Sequence, residues 1–157
     1  MDARENLRLD RQLCFPLYAA SREIIKHYRP YLDALGVTYT QYITMMVLWE
    51  EREISVKRLG KRLFLDSGTL TPLLKALEQK GYVVRSRSKE DERVLLVRLT
   101  EAGSALQERA VSVPEQMKQC MPLTEEEAGI LYRLLYKLLE PTVLPETASE
   151  PETTAAE

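Results

Sequence analysis

Two thiols and one dense block of cations are the parts of this 157-residue chain whose chemistry can be read directly. Cys14 stands in QLCFPLY, between Leu13 and Phe15. Cys120 stands in QCMPLT, 106 positions later. The thiolate, not the thiol, is the reactive form of cysteine, so a peroxide-sensing sulfur needs a lowered pKa and an accessible pocket. On residue types alone, a single cysteine among Leu, Phe and Tyr reads as a small core residue. Two cysteines with no CxxC spacing, and one histidine (His27, with no assigned role), are too few ligands for a zinc-finger-type site. Neither a metal nor a cofactor is expected.

The second chemistry is electrostatic. Residues 55–98 carry 11 Lys/Arg against 5 Asp/Glu, a local charge of +6 in a chain of net charge −2. Such an excess suits double-stranded DNA, because release of condensed counterions supplies most sequence-independent affinity. Within the block, Ser67, Gly68, Thr69, Thr71 and Pro72 are small. Small residues at the start of a reading helix allow close approach to base edges in the major groove. The bland reading of the same run is an ordinary capped helix start. Lys57, Lys61, Arg62 and Lys75 are candidate phosphate or base contacts, and Arg85 and Arg87 extend the set. Arg93, at the expected hairpin tip, suits the negative minor groove, and Asp91 either pairs with it or braces the turn.

These groups need elements to position them. Leu13, Leu17, Ile24, Ile25, Tyr28 and Leu32 recur at helical spacing and predict a first long helix ending before Gly36. Pro16 either kinks that helix or makes it begin near Phe15, which would leave Cys14 at a helix N-terminus. Thr38 with Gln41 forms a capping box for a second helix, whose stripe Tyr42, Ile43, Met46, Val47 and Trp49 is expected to be mostly core. Ser55 caps a short third helix. Asp66 or Ser67 caps a fourth running to Gly81, with Pro72 tolerated near its start. Val83–Arg85 and Val94–Leu99 read as a β-hairpin around SKEDER. Thr100 starts a fifth helix expected to pass Pro114 and reach about Cys120, and Thr124 with Glu127 opens a last one ending near Glu140.

The expected fold is mainly α with a small β-hairpin wing: a winged helix-turn-helix over about 38–99, between dimerisation helices over about 8–35 and 100–139. The terminal helices carry more apolar surface (Leu131, Leu134, Leu135 and Leu138 in the last) than a small wing domain needs. A homodimer reading a pseudo-palindromic operator follows, with reading helices one DNA turn apart. Residues 140–157 hold five acids, three prolines and no base, and read as a disordered acidic tail that hides a net +3 over residues 1–139. The acidic sequence pI of 5.6 therefore does not argue against DNA. No apolar run reaches membrane-spanning length, and the N-terminus lacks a signal-peptide core. A reducing cytoplasm and no membrane partner are expected.

The run LDSGTLTPLLKALEQKGYVVRSRSKEDERVLLVRLTEAG, with Asp91-Glu92-Arg93 as a D-x-R wing element, resembles the MarR family of dimeric winged-helix repressors. QLCFPLYAASREIIKHYRPYLDALGVTYTQYITMMVLWE resembles one branch of it, the organic hydroperoxide regulators of OhrR type, and the likeness spans roughly residues 8–140. The resemblance implies that Cys14 senses peroxide, that tyrosines matching Tyr28 and Tyr39 hydrogen-bond its sulfur across a dimer interface, and that Tyr18 lines the same pocket. It also implies that oxidation releases the operator of a thiol peroxidase gene. Some members carry a resolving cysteine near the position of Cys120, which traps the oxidised sensor as an intersubunit disulfide. One-cysteine members need a small external thiol instead. The tyrosines reverse the packing reading of Cys14, since phenols donating to sulfur favour its charged form. Apolar neighbours Phe15, Leu17 and Met45 would favour organic hydroperoxides over hydrogen peroxide.

Three other readings stand beside this one. The first is a MarR-type regulator released by a small organic ligand, with Cys14 structural. The second is a thiol peroxidase, with Arg11 or Arg22 as its cation, which leaves the 55–98 charge unexplained. The third is an architectural DNA-binding protein without a switch.

Overall fold

The computed structural model describes residues 3–140. They fall into two units dividing after Cys120, seven helices and three strands in all. The expected acidic tail, apart from Glu140, lies outside the described residues.

Two short 3-10 turns, Ala3–Leu7 and Leu9–Arg11, precede helix α1 (Cys14–Leu35). Pro16 occupies the third position of α1. There the backbone N–H would have no intrahelical partner, so proline costs the helix nothing. Of the two alternatives left by the sequence, the structure has the one that puts Cys14 at the helix start. Pro30 lies inside α1 without ending it. Termination comes at Gly36, whose left-handed φ of 71° lets Val37 N–H reach back to the Leu32 carbonyl at 3.1 Å.

Helix α2 (Tyr39–Glu51) opens on the expected capping box: the Thr38 hydroxyl accepts from Gln41 N–H at 3.3 Å and Gln41 Oε1 accepts from Thr38 N–H at 3.1 Å. It is the central helix of the first unit, with Tyr42, Met45, Val47 and Leu48 buried. Met46, expected in the stripe, is exposed instead.

The next strand went unread in the sequence. β1 (Glu53–Ser55) is only three residues long, too short to display alternation, and pairs antiparallel with β3 (Leu95–Leu99). β2 (Val83–Arg87) pairs with the other edge of β3, giving the order β1-β3-β2. The hairpin is therefore a two-stranded wing attached to a third strand, and β2 runs two residues further than its β-branched core suggested.

Helices α3 (Val56–Leu63) and α4 (Ser67–Gln79) form the helix-turn-helix. Ser55 caps α3 by accepting from Arg58 N–H, and Asp66 caps α4 by accepting from Thr69 N–H at 2.8 Å. Their tight turn depends on Gly60. A Cβ there would lie 2.7 Å from the Leu65 carbonyl oxygen and 2.9 Å from Leu70 Cδ1. Leu70, Leu73, Leu74 and Leu77, spaced i, i+3, i+4 and i+7, are the buried face of α4, so its opposite face is left to solvent.

The single fifth helix expected from the sequence is two: α5 (Glu101–Ala110) and α6 (Val113–Gln119). Pro114 is the reason. It has no N–H to offer the Ala110 carbonyl and its ring crowds that oxygen, so the helix stops at Ala110 and restarts with proline in its first turn. Leu106, Ala110, Val113 and Met117 line the buried side of this pair.

The second unit holds α7 (Glu125–Leu139), opened by a capping box between Thr124 and Glu127. No residue of α7 is buried. Leu131, Leu134, Leu135 and Leu138 are all exposed.

Candidate nucleic-acid interface and thiol sensor

The solvent face of α4 carries Ser67, Gly68, Thr69, Thr71, Pro72 and Lys75, all exposed. The Asp66 carboxyl is held below its usual range by Thr69 N–H, which fixes it as a charged cap at the head of this surface. Thr71 donates its hydroxyl to Ser67 O at 2.8 Å, so it presents only acceptor capacity outward. The side-chain amines of Lys57, Lys61 and Lys75 have no ion-pair or hydrogen-bond partner among the described residues.

Three of the arginines expected on this surface, Arg62, Arg85 and Arg87, are engaged within the chain. Arg62 donates to Glu50 at 2.7 Å and to Glu51 at 3.1 Å, which ties α3 back to the end of α2. Arg58 adds a second bond to Glu51, at 2.8 Å. Arg85 donates three bonds to Glu78 and so braces the wing against α4. In the wing loop, Arg87 donates to the Glu92 carbonyl at 2.8 Å. Asp91 braces the turn, its carboxylate accepting from Arg93 N–H at 2.9 Å, and the Arg93 guanidinium has no partner among the described residues. The carboxylates Glu50, Glu51 and Glu78 were missed in the sequence. Only Glu78, on the near side of the Gly81 turn from Arg85, is close enough in sequence to have been guessed.

The thiol site divides into two places on α1. At its start, Cys14 is exposed and its sulfur has no hydrogen bond with a described residue. Tyr18 is one turn on, exposed, its hydroxyl accepting from Arg22 at 2.7 Å. Phe15 is exposed beside Cys14, but Met45 is completely buried in the core of its own chain and so cannot line this surface.

The other place is fourteen positions along. Tyr28 stacks at 5.0 Å against Tyr39 and at 5.9 Å against Tyr42, which in turn meets Trp49 edge-on at 6.1 Å. Burial pushes the phenols of Tyr28 and Tyr39 above their ordinary value, so both keep their protons at neutral pH and can donate. At 1.5 Å rise per residue, Tyr28 stands roughly 21 Å along α1 from Cys14. Tyr28 and Tyr39 are thus brought together, while Cys14 of the same chain is out of their reach.

Cys120 is exposed at the end of α6, its sulfur 3.9 Å from the Tyr31 hydroxyl and 3.5 Å from the Gln116 carbonyl oxygen. Tyr31 is seventeen positions after Cys14, or roughly 25 Å along α1. A disulfide needs Cα atoms within about 7 Å, so Cys14 and Cys120 of one chain cannot bridge in this conformation. An open cleft of about 250 Å³ lies between α2, α5 and α6, lined by Tyr42, Met46, Trp49, Glu50, Gln107 and Val111 among others. No group of His, Cys, Asp and Glu among the described residues is placed to hold a metal ion.

Residues 26–109 match the transcriptional regulator SarA/Rot family. The chain is 48% identical, over 136 residues, to the organic hydroperoxide resistance transcriptional regulator of Bacillus subtilis, covering 87% of this chain and 92% of that one. AbfR of Staphylococcus epidermidis, solved in its reduced form bound to DNA, is 39% identical with a TM-score of 0.71, covering 87% of this chain and 96% of AbfR. The same protein in a disulfide form superposes with a TM-score of 0.61. A mutant MarR of E. coli complexed with operator DNA is 29% identical with a TM-score of 0.75, over 81% of this chain and 93% of that one.

Proposed function

We propose that this chain, which belongs to the SarA/Rot family of winged-helix transcriptional regulators, is a homodimeric repressor that leaves a pseudo-palindromic operator when an organic hydroperoxide oxidises Cys14. The observation that carries the reading is the split of the thiol site along α1. Each chain holds a sulfur at one end and a pair of protonated phenols at the other, roughly 21 Å away. Two copies with opposed first helices complete two such sites. The exposed Leu13, Phe15 and Ile25 of α1 and the exposed leucines of α7 supply the apolar surface that such an assembly would cover.

In the assembled site, the hydroxyls of Tyr28 and Tyr39 donate to the partner's Cys14 sulfur. The thiolate attacks the terminal peroxide oxygen: an S–O bond forms, the O–O bond breaks, and the departing alkoxide takes a proton to become an alcohol. The sulfenic acid that results is attacked by Cys120 of the other subunit, which forms an intersubunit disulfide and releases water. The Cys14–Cys120 separation within one chain and the disulfide form of AbfR support this step. A small external thiol takes the same role when Cys120 is absent.

On DNA, the start of α4 enters the major groove with Ser67, Gly68, Thr69, Thr71 and Pro72 against the bases. Lys57, Lys61 and Lys75 meet phosphates, and Arg93 reaches the minor groove. Arg62, Arg85 and Arg87 hold the reading surface in shape, and Asp91 shapes the wing. Residues 8–35 and 100–139 pair the two copies around the winged helix-turn-helix of 38–99.

A gel shift on the promoter beside the protein's own gene, with and without cumene hydroperoxide, tests this. Wild type should lose the shifted band on treatment, and Cys14→Ser should keep it. A Cys14→Ser protein released equally well would overturn the redox reading. It would favour a small organic ligand, for which the Tyr42–Trp49 cleft is the available site.

A further inference from the structure

We infer that Tyr31 is a positioning residue for the second thiol, holding the Cys120 sulfur and donating to it one helical turn from where the partner's Cys14 docks. The inference rests on the two-cysteine reading above and adds a residue to it.

The hydrogen bonds around Cys120 have a direction. The Gln116 carbonyl, 3.5 Å from the sulfur, can only accept the single thiol proton, and with the proton there the sulfur accepts from the Tyr31 hydroxyl at 3.9 Å. The Tyr31 phenol is held above its ordinary value, first by this hydrogen bond to Cys120, so it keeps the proton it donates. When the thiol ionises, the bond to Gln116 is lost and the bond to Tyr31 becomes charge-assisted and stronger. The other charged groups nearby are Arg109 of α5, donating to the Ala34 carbonyl at 2.7 Å, and Lys118 of α6, paired with Glu115 at 3.4 Å. None of them hydrogen-bonds the sulfur. The carbonyl end of α6 faces the thiol too, so Tyr31 is the donor in this arrangement.

Location makes the hydroxyl more than a local partner. Tyr31 follows Tyr28 by three positions on α1, which sets the two side chains on neighbouring rows about 4.5 Å apart along the axis. Tyr28 and Tyr39 are the phenols that receive the partner's Cys14. The residue that holds the attacking thiol is thus adjacent to the residue that holds its target. Tyr31 also lines a cavity of about 300 Å³ together with Ala34, Arg109 and Gln116. The step served is attack of the Cys120 thiolate on the partner's sulfenic acid: the S–S bond forms, the S–O bond breaks, and hydroxide leaves to take up a proton as water.

Tyr31→Phe keeps the ring and removes only the hydroxyl. In the full-length dimer we expect unchanged sulfenic acid formation at Cys14, measured by dimedone labelling, but slower appearance of the intersubunit crosslink after cumene hydroperoxide. In a Cys14→Ser background, alkylation of Cys120 by iodoacetamide should slow about threefold or more at neutral pH and its pH–rate profile should move to higher pH. A purely structural role for Tyr31 would lower the rate without moving that profile. A normal crosslink rate and an unmoved profile in Tyr31→Phe overturn this role alone. Absence of any intersubunit crosslink in the parent protein overturns the two-cysteine reading and this role with it.

Discussion

Glu78 of α4 grips Arg85 of β2 with both carboxylate oxygens, accepting from the Arg85 backbone N–H at 3.0 Å and from Nε and Nη2 at 3.0 and 2.7 Å. The contact joins the helix proposed to read DNA to the wing that follows it. A rigid offset between these two elements lets one dock in the major groove while the other reaches an adjacent groove.

Acid should release this brace. The Glu78 carboxyl is held below its usual value of 4.5, first by the Arg85 side chain and then by the Arg85 N–H. A depressed folded-state pKa stabilises the fold above the unfolded value, and the contribution fades as pH falls through the folded one. Glu78→Gln is therefore expected to melt below wild type at neutral pH, and the gap between the two melting temperatures should close as pH falls below the ordinary carboxylate range. Calorimetry across that range checks it. A constant gap at all pH values would contradict the ion-pair account.

The free and the paired cations should behave differently in DNA binding. Removing the free amine in Lys75→Ala is expected to lower affinity for all sequences alike and to flatten the salt dependence by about 0.9 in log K against log salt for each protomer. Arg62→Ala removes a bond to Glu50 and another to Glu51. It should leave that slope nearly unchanged and cost about 1 kcal/mol of stability or less, since the pair is partly solvated. Titrations by fluorescence anisotropy at several salt concentrations separate the two.

A composite site can be rebuilt from two broken chains. Pair a Cys14→Ser subunit with one carrying Tyr28→Phe and Tyr39→Phe. In the proposed dimer the second chain's sulfur faces the first chain's intact phenols, so one complete sensor per heterodimer is expected. We expect such heterodimers to respond to cumene hydroperoxide near the wild-type dose. Homodimers of the double phenylalanine variant should need about tenfold more or beyond, the worth of lost hydrogen bonds to a charged sulfur. Equal impairment of both would show that the phenols act on the cysteine of their own chain.

Two glycines offer a matched pair. Gly60→Ala drives a methyl against the Leu65 carbonyl and Leu70, and is expected to cost about 1–3 kcal/mol through overpacking at the turn. Gly129→Ala in α7 meets nothing within 4 Å and should add up to about 1 kcal/mol of helix stability. Chemical denaturation of both variants tests the sign.

What the sequence disclosed was local. Thr38 with Gln41, Thr124 with Glu127, Asp66 and Gly81 each act within a few residues, so caps and helix ends could be placed from type and spacing. The fourth helix was placed from its caps, and its leucines at i, i+3, i+4 and i+7 agree with that placement. Pro114 was visible yet misjudged: the apolar periodicity on either side of it ran on, and proline outweighed it. β1 escaped because three residues carry no period. Contacts between distant residues stayed hidden, among them Glu50 with Arg62 and Tyr31 with Cys120, 89 positions apart. The grouping of Cys14 with Tyr28 and Tyr39 came only through the family likeness, since nothing in their spacing marks them as one site.

Helix α7 buries none of its fifteen residues, and its own capping box is the support it brings. A helix of that length standing alone is marginal in water. In the homodimer proposed above its order would be coupled to self-association and rise with protomer concentration, so dilution is expected to fray α7 first.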